Sequence, residues 1–332
     1  MANLPDVLPI GPYFREMVWG GRRLQELYGK DLPAEKRIGE SFELSAYAER
    51  ESVVAAGPLA GRELRGLIAE FGEQLVGQQV WERYDGRFPL LIKLLDAQQD
   101  LSIQVHPDDA YTQAKGLEET GKMEAWFVLH SDEGRVAFGL KPGVDREQFA
   151  AASGSEGIEE LIQFHPAQPG DVLFMPPGTV HALCQGVVIY EVQQSSDLTY
   201  RIYDYGRLGL DGQPRQLHVQ EALEVIDFDT EMGGPTNWRE LPGAQADRAV
   251  LVDCEHFRLD LHRSEGGETR HAAGDSFLAF TLVEGEALVK GEEEFPLRAM
   301  DTALVPVHRE FAIEPQGEGA CTYLIASVPV EQ

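Results

Sequence analysis

Short apolar or alternating runs, bounded by Gly and Pro, recur along the whole chain at 42–45, 51–54, 90–95, 124–129, 171–175, 187–192, 251–261 and 277–283. Runs of this length with turn residues between them predict strands of an antiparallel barrel or sandwich. Helical spacing is rarer. Leu64, Leu67, Ile68 and Phe71 repeat at i, i+3, i+4 and i+7, as do Val219, Ala222, Leu223 and Ile226, while Ile158, Leu161 and Ile162 mark a shorter helix. The pattern predicts a mainly β chain with a few short helices.

Residues 229–246 carry the Gly and Pro content of a connection between domains, so the sequence divides into 1–228 and 229–332. At 332 residues the chain is long enough for two such domains. A composition of 43% hydrophobic and 25% charged residues is that of a folded globular protein. No apolar run reaches the roughly 20 residues of a membrane span, and the first residues lack a basic stretch followed by an apolar one, which implies a cytoplasmic protein. The formal charge of −28 opposes binding to nucleic acid or to an anionic membrane. An anionic ligand would need local cations. Cys184, Cys254 and Cys321 are widely spaced and read as buried thiols rather than as a disulfide framework or a thiolate metal site.

The most informative stretch is 170–184, where Gly170, Pro176, Gly178 and His181 hold the spacing G-x5-P-x-G-x2-H. It resembles the second signature of the cupin superfamily, in which a small β-barrel presents a metal-binding histidine from its interior. In 101–107, the two-residue period of a strand sends Ser102, Gln104 and His106 to one face and Leu101, Ile103 and Val105 to the other. Lys122 and Glu124 share a face in 121–127. Two imidazoles, a carboxylate and an amide oxygen suit a divalent first-row metal, with Zn²⁺ the default, one per chain. With one anionic ligand the ion keeps a net positive charge and acts as a Lewis acid. The other histidines, at 130, 165, 218, 256, 262, 271 and 308, show no such partnership and read as solvated or satisfied side chains.

Beyond residue 246 the segment 300–306 is a worn copy of 170–176. Asp301 matches Asp171 and Pro306 matches Pro176, but Met300 replaces the glycine and Phe311 stands where the histidine would be. The expectation is two cupin-type, jelly-roll β-barrels, the second without metal ligands.

In order along the chain, the segments at 18–21, 38–45, 57–61, 89–97, 101–108, 121–126, the His181 turn and 197–205 resemble the type I mannose-6-phosphate isomerase family, the zinc-dependent phosphomannose isomerases, in their short bacterial form. That resemblance implies interconversion of mannose 6-phosphate and fructose 6-phosphate. It puts the metal ligands on Gln104, His106, Glu124 and His181, and an active-site arginine on Arg201. Lys122 and Ser102 match residues associated with substrate, Lys93 and Glu191 match less closely, and Trp19 resembles a pocket residue. Phe42 stands where many members have tryptophan, and Met123 where smaller or polar residues are common. The base stays open between a metal-bound water, Glu191 and Lys122, and Lys93 and Lys122 are the candidate phosphate contacts. Partners are limited to a hexose phosphate, with a monomer or homodimer expected. Two other readings compete: an oxygenase-like metal cupin, which would use Fe²⁺, and a non-catalytic sugar-phosphate-binding cupin. The amide ligand Gln104 argues against the first, and Lys122 with Arg201 beside the metal set against the second.

Overall fold

A computed structural model describes residues 3–317 and 319–331. The chain is mainly β, and its strands pair antiparallel. Packing divides it into two units, one formed by the residues up to 13, 41–93 and those from 238 on, the other by 14–40 and 94–237. This division does not follow a single cut near residue 228, because the segments at the start of the chain and at 41–93 pack with the carboxy-terminal strands. No helix of the described residues is long and apolar enough to cross a membrane.

The first unit contains a seven-stranded sheet, whose central strands are Cys321–Ser327, Leu278–Glu284 and Thr302–Val305, and a four-stranded sheet that includes Thr269–Ala272 and Glu310–Pro315. Its core gathers Phe280, Leu282, Val289, Phe311, Tyr323 and Ile325. The apolar run at 251–261 is not one strand. Cys254 N–H donates to Phe257 O at 3.0 Å, and this turn splits the run into Arg248–Asp253 and Arg258–Ser264. The helix Leu64–Phe71 buries Leu64, Leu67, Ile68 and Phe71 in one stripe, as its spacing predicts.

The second unit holds a five-stranded sheet in the order Tyr200–Tyr203, Ile103–Val105, His181–Leu183, Arg135–Leu140, Ile162–Pro166. Four neighbouring strands of a second sheet are Thr236–Asn237, Asp171–Met175, Glu124–Ser131 and Val187–Gln194. Ile103 and Val105 pack with Phe149, Ile158 and Ala222 in one apolar cluster, which leaves Gln104 on the opposite side of its strand. Strand pairing covers only Ile103–Val105, while Leu101 joins a different cluster with Trp126 and Leu173. The helices Val219–Val225 and Glu156–Leu161, the latter a 3₁₀ turn, form where the spacing places them. Two others carried too few apolar positions to register as periodic. Asp109–Lys115 starts where Asp108 accepts from Tyr111 N–H at 2.7 Å, and Arg146–Ala152 starts at a capping box of Asp145 and Gln148. Their signal lay in the caps.

The turn before His181 depends on Gly178. Its φ is +87°, and a Cβ there would lie 2.9 Å from Val225 O and 3.1 Å from Asp227 N. Its own N–H donates to His106 O at 2.9 Å, and its carbonyl accepts from Asp227 N–H at 3.0 Å. One residue thus ties three segments together, and any side chain would push them apart. Gly178→Ala is expected to destabilise the protein by about 1–3 kcal/mol. Gly66→Ala, inside a helix with nothing within 4 Å of the added methyl, should instead stabilise by about 0.5–1 kcal/mol. Urea unfolding of the two variants beside the parent checks the opposite signs.

Candidate metal centre

The site is built from two rows of side chains in the second unit. In the five-stranded sheet Arg201 pairs directly with Gln104, and Gln104 pairs with His181, so one row crosses three adjacent strands. In the other sheet Met175, Glu124 and Gln193 form a second row across three strands. Directly opposite residues in an antiparallel pair point to the same face. His106 follows the strand of Gln104, and its ring centroid lies 4.9 Å from that of His181. His106 Nε2 stands 3.5 Å from Glu124 Oε2, and His181 Nε2 3.1 Å from Glu124 Oε1. The three residues are buried, and one ligand atom from each lies within 4.8 Å of the other two. Among the described residues they are the one group of three or more His, Cys, Asp or Glu with this property.

Backbone carbonyls fix the imidazole tautomers. His106 Nδ1 is 2.8 Å from Leu198 O and His181 Nδ1 is 2.9 Å from Thr179 O, and a carbonyl only accepts. Each Nδ1 therefore carries a proton, and each ring turns its Nε2 on the Glu124 carboxylate. Burial, reinforced by Lys122, holds the His106 pKa well below the ordinary range, so that ring is neutral. Burial alone would raise the Glu124 pKa, but the Lys122 ammonium leads the opposing causes and holds it well below the usual carboxylate range. Lone pairs facing a carboxylate repel unless a cation stands between them.

The donor set fits a metal ion on this ground. Both Glu124 oxygens are buried without a well-aligned hydrogen bond. With one ligand atom from each of the three residues within 4.8 Å of the others, the set converges on one point. Gln104 completes the set. Its Nε2 lies 3.3 Å from His181 Nε2, and half a turn about its last torsion brings the carbonyl oxygen to that place while the NH2 faces Ser102 Oγ.

Around these groups stand three charged side chains. Lys122 Nζ is 2.8 Å from Glu124 Oε2 and 3.3 Å from His106 Nε2. Burial favours its neutral form, but Glu124 and Glu191 prevail and raise its pKa above the ordinary lysine value. Lys122 is a cation here, not a base. Glu191 is buried, and Trp126 Nε1 donates to its Oε1 at 2.9 Å. Arg201 donates from Nε to Ser102 Oγ at 3.3 Å and from Nη1 to Gln216 O at 2.9 Å. Burial, with Arg215 as the next cause, pushes its pKa down to about 10.

The family model for the catalytic domain of type I phosphomannose isomerase matches residues 7–139. Mannose-6-phosphate isomerase ManA of Bacillus subtilis is 33% identical, with 94% of this chain and 97% of that protein covered. The mannose-6-phosphate isomerase of Streptococcus mutans is 33% identical over 87% of this chain and 89% of its own length. The chain belongs to the type I phosphomannose isomerase family. Its fold agrees: the crystal structure of the mannose 6-phosphate isomerase from Bacillus subtilis superposes with a TM-score of 0.83 at 31% identity, covering 97% of this chain and 99% of that one. The fold is thus the cupin fold expected from the sequence.

Of the residues singled out in the sequence, the structure brings together Ser102, Gln104, His106, Lys122, Glu124, His181 and Arg201 by direct contacts, with Glu191 held through Trp126, whose ring meets His181 edge-on at 5.5 Å. Trp19 is elsewhere in character: it is 2% exposed and packed in the apolar cluster of Trp126 and Leu173. Lys93 belongs to the first unit, where it is buried with its ammonium 4.8 Å above the Phe42 ring. His218 carries no motif in the sequence, yet its Nδ1 accepts from Arg201 N–H at 3.2 Å and its own N–H donates to Arg201 O at 2.7 Å. No spacing announces it, because the loop 204–217 makes the connection. Trp126 has no sequence signal either, being one aromatic among several in a buried strand.

The Lys122–Glu124 contact gives a test that needs no metal. In chelated protein, Glu124→Gln strands a buried ammonium and should cost about 3–5 kcal/mol. Adding Lys122→Met to it should recover most of that loss, as read from thermal melts of the single and double variants.

Proposed function

We propose that this protein interconverts mannose 6-phosphate and fructose 6-phosphate at the His106–Glu124–His181 centre, with Zn²⁺ as the native ion held by these three residues and Gln104. The observation that carries the reading is the pair of carbonyl-fixed Nε2 lone pairs facing one buried carboxylate, with cations on either side. A bound divalent ion supplies positive charge to the sugar oxygens as they gain negative charge.

The remaining chemistry belongs to side chains. Isomerisation moves the C2 proton to C1 through a cis-enediol, while the O2 proton moves to O1. A base must take and return the carbon-bound proton. We assign this to Glu191, whose Oε1 is held by Trp126 Nε1–H at 2.9 Å. Lys122, held protonated, is unsuited to the role of base and serves as a cation for oxygen or phosphate. Arg201, steadied by Ser102 and Gln216, aligns and stabilises the two reacting oxygens. Ser102 is assigned to substrate binding, and Trp19 to backing the site from the core. On the same reading catalysis lies in the second unit, while the carboxy-terminal strands of the first carry no metal. The enzyme is cytoplasmic and works as a monomer or homodimer. Neither the oxygenase-like nor the purely binding alternative is favoured by any contact at the site.

An assay coupled to consumption of fructose 6-phosphate tests the reading. Mannose 6-phosphate should be turned over, chelation should abolish turnover, and Zn²⁺ should restore it. Arg201→Ala should lower kcat/KM by about 10²–10³ with metal content unchanged. No turnover by metal-replete parent protein would reject the activity, and near-normal turnover by Arg201→Ala would remove Arg201 from the chemistry.

A further inference from the structure

Gln193 belongs to the same face as the metal centre. It pairs directly with Glu124 across the strands Val187–Gln194 and Glu124–Ser131, and two residues away Glu191 pairs with Trp126. Its orientation is decided by its donors. Nε2 gives one hydrogen bond to Gln194 O at 2.9 Å and another to Ser196 O at 2.6 Å, and both partners are carbonyls that only accept. The amide cannot be turned over without setting oxygen against oxygen. Oε1 is thereby fixed on the other side, in a residue with 0% exposure, and it has no hydrogen-bond partner among the described residues. A buried acceptor left unpaired costs about 1–3 kcal/mol.

The Nε2 half of the amide has a structural use, tying down the carbonyls of Gln194 and Ser196, but nothing among the described residues partners Oε1. The lone acceptor instead shares its face with the buried carboxylates of Glu124 and Glu191. Those two are already engaged, Glu124 with Lys122 and the histidines and Glu191 with Trp126, whereas the fixed amide oxygen has no partner among the described residues. We propose that Gln193 Oε1 accepts a hydrogen bond from a non-reacting hydroxyl of the sugar, the one on C3 or on C4, and so is a specificity-determining residue of this site. The inference rests on the sugar-phosphate isomerase reading above and adds to it a contact for a named part of the substrate.

The test crosses enzyme variants with substrate analogues. Parent, Gln193→Met and Gln193→Asn are assayed with mannose 6-phosphate and with its 3-deoxy and 4-deoxy analogues, all of which keep the reacting C1 and C2. Asn retains the amide but withdraws its oxygen by one methylene, which keeps the question open should Met not fold. With the full substrate, each variant should lose about tenfold to a hundredfold in kcat/KM with metal content unchanged. With one of the two deoxy analogues, parent and variants should become nearly equal, since the partner hydroxyl is already gone. A merely structural role would lower all three substrates by the same factor, and that result, or unchanged kinetics in both variants, would overturn the proposal. Failure of the parent to turn over mannose 6-phosphate would instead reject the isomerase reading, and this inference with it.

Discussion

The structure depends on one electrostatic confrontation. Two imidazole lone pairs, locked in direction by Leu198 O and Thr179 O, face a carboxylate that is itself buried. In water such an arrangement would relax by rotation or protonation. Here neither route is open to His106, because burial holds it neutral and its Nδ1 proton is already committed. The fold therefore maintains a local excess of electron density that only a cation can relieve. Lys122 partly relieves it from one side, its ammonium 2.8 Å from Glu124. A divalent ion held by His106, Glu124 and His181 would relieve it from the centre of the set.

That constraint explains several features of the surrounding structure. Glu124 must come from one sheet and the imidazoles from the other, so the two rows Arg201–Gln104–His181 and Met175–Glu124–Gln193 need their strand registers held. A slip of one residue in either would turn the ligand to the apolar face. Gly178 fixes the turn that delivers His181 and also binds His106 O, so both histidines are referred to the same backbone point. Arg201 meets the same demand for order: its backbone is bracketed by His218 and its side chain by Ser102 and Gln216. Cations also gather there for a wider reason. In a chain of net charge −28, Arg15, Arg207 and Arg215 are close enough to Arg201 to lower its pKa. An anionic sugar repelled by the whole molecule thus meets positive charge at short range, where salt screens it least.

The parts of this arrangement that sequence reveals are those with a local signature. Strand alternation separates Gln104 and His106 from Ile103 and Val105, and the Pro-Gly turn before His181 announces a sharp change of direction. Leu64–Phe71 was legible from its apolar stripe. Arrangements that depend on chains meeting in space were not. The helices at Asp109 and Arg146 are specified by single capping side chains rather than by a periodic face, and the partnership of His218 with Arg201 spans a loop with no repeating pattern.

The worn motif near residue 300 can be followed through strand register, and it shows what the fold requires independently of the chemistry. His181 pairs with Gln104; in the first unit Phe311, at the matching place, pairs with His271. Met175 pairs with Glu124, and Glu124 with Gln193; the corresponding row is Val305, Leu278 and Ser327. Two residues beyond His271, where His106 would fall, is Ala273, which with Phe311 and Val305 lies in the apolar core. The pairing is retained while the carboxylate has become Leu278 and both imidazoles have become apolar. Such replacement removes every uncompensated lone pair and lets the same inward positions contribute burial instead. A ligand set of this kind is thus a burden on the fold rather than a support for it, and the second unit bears that burden in Glu124, His106, His181 and the unpaired oxygen of Gln193 together.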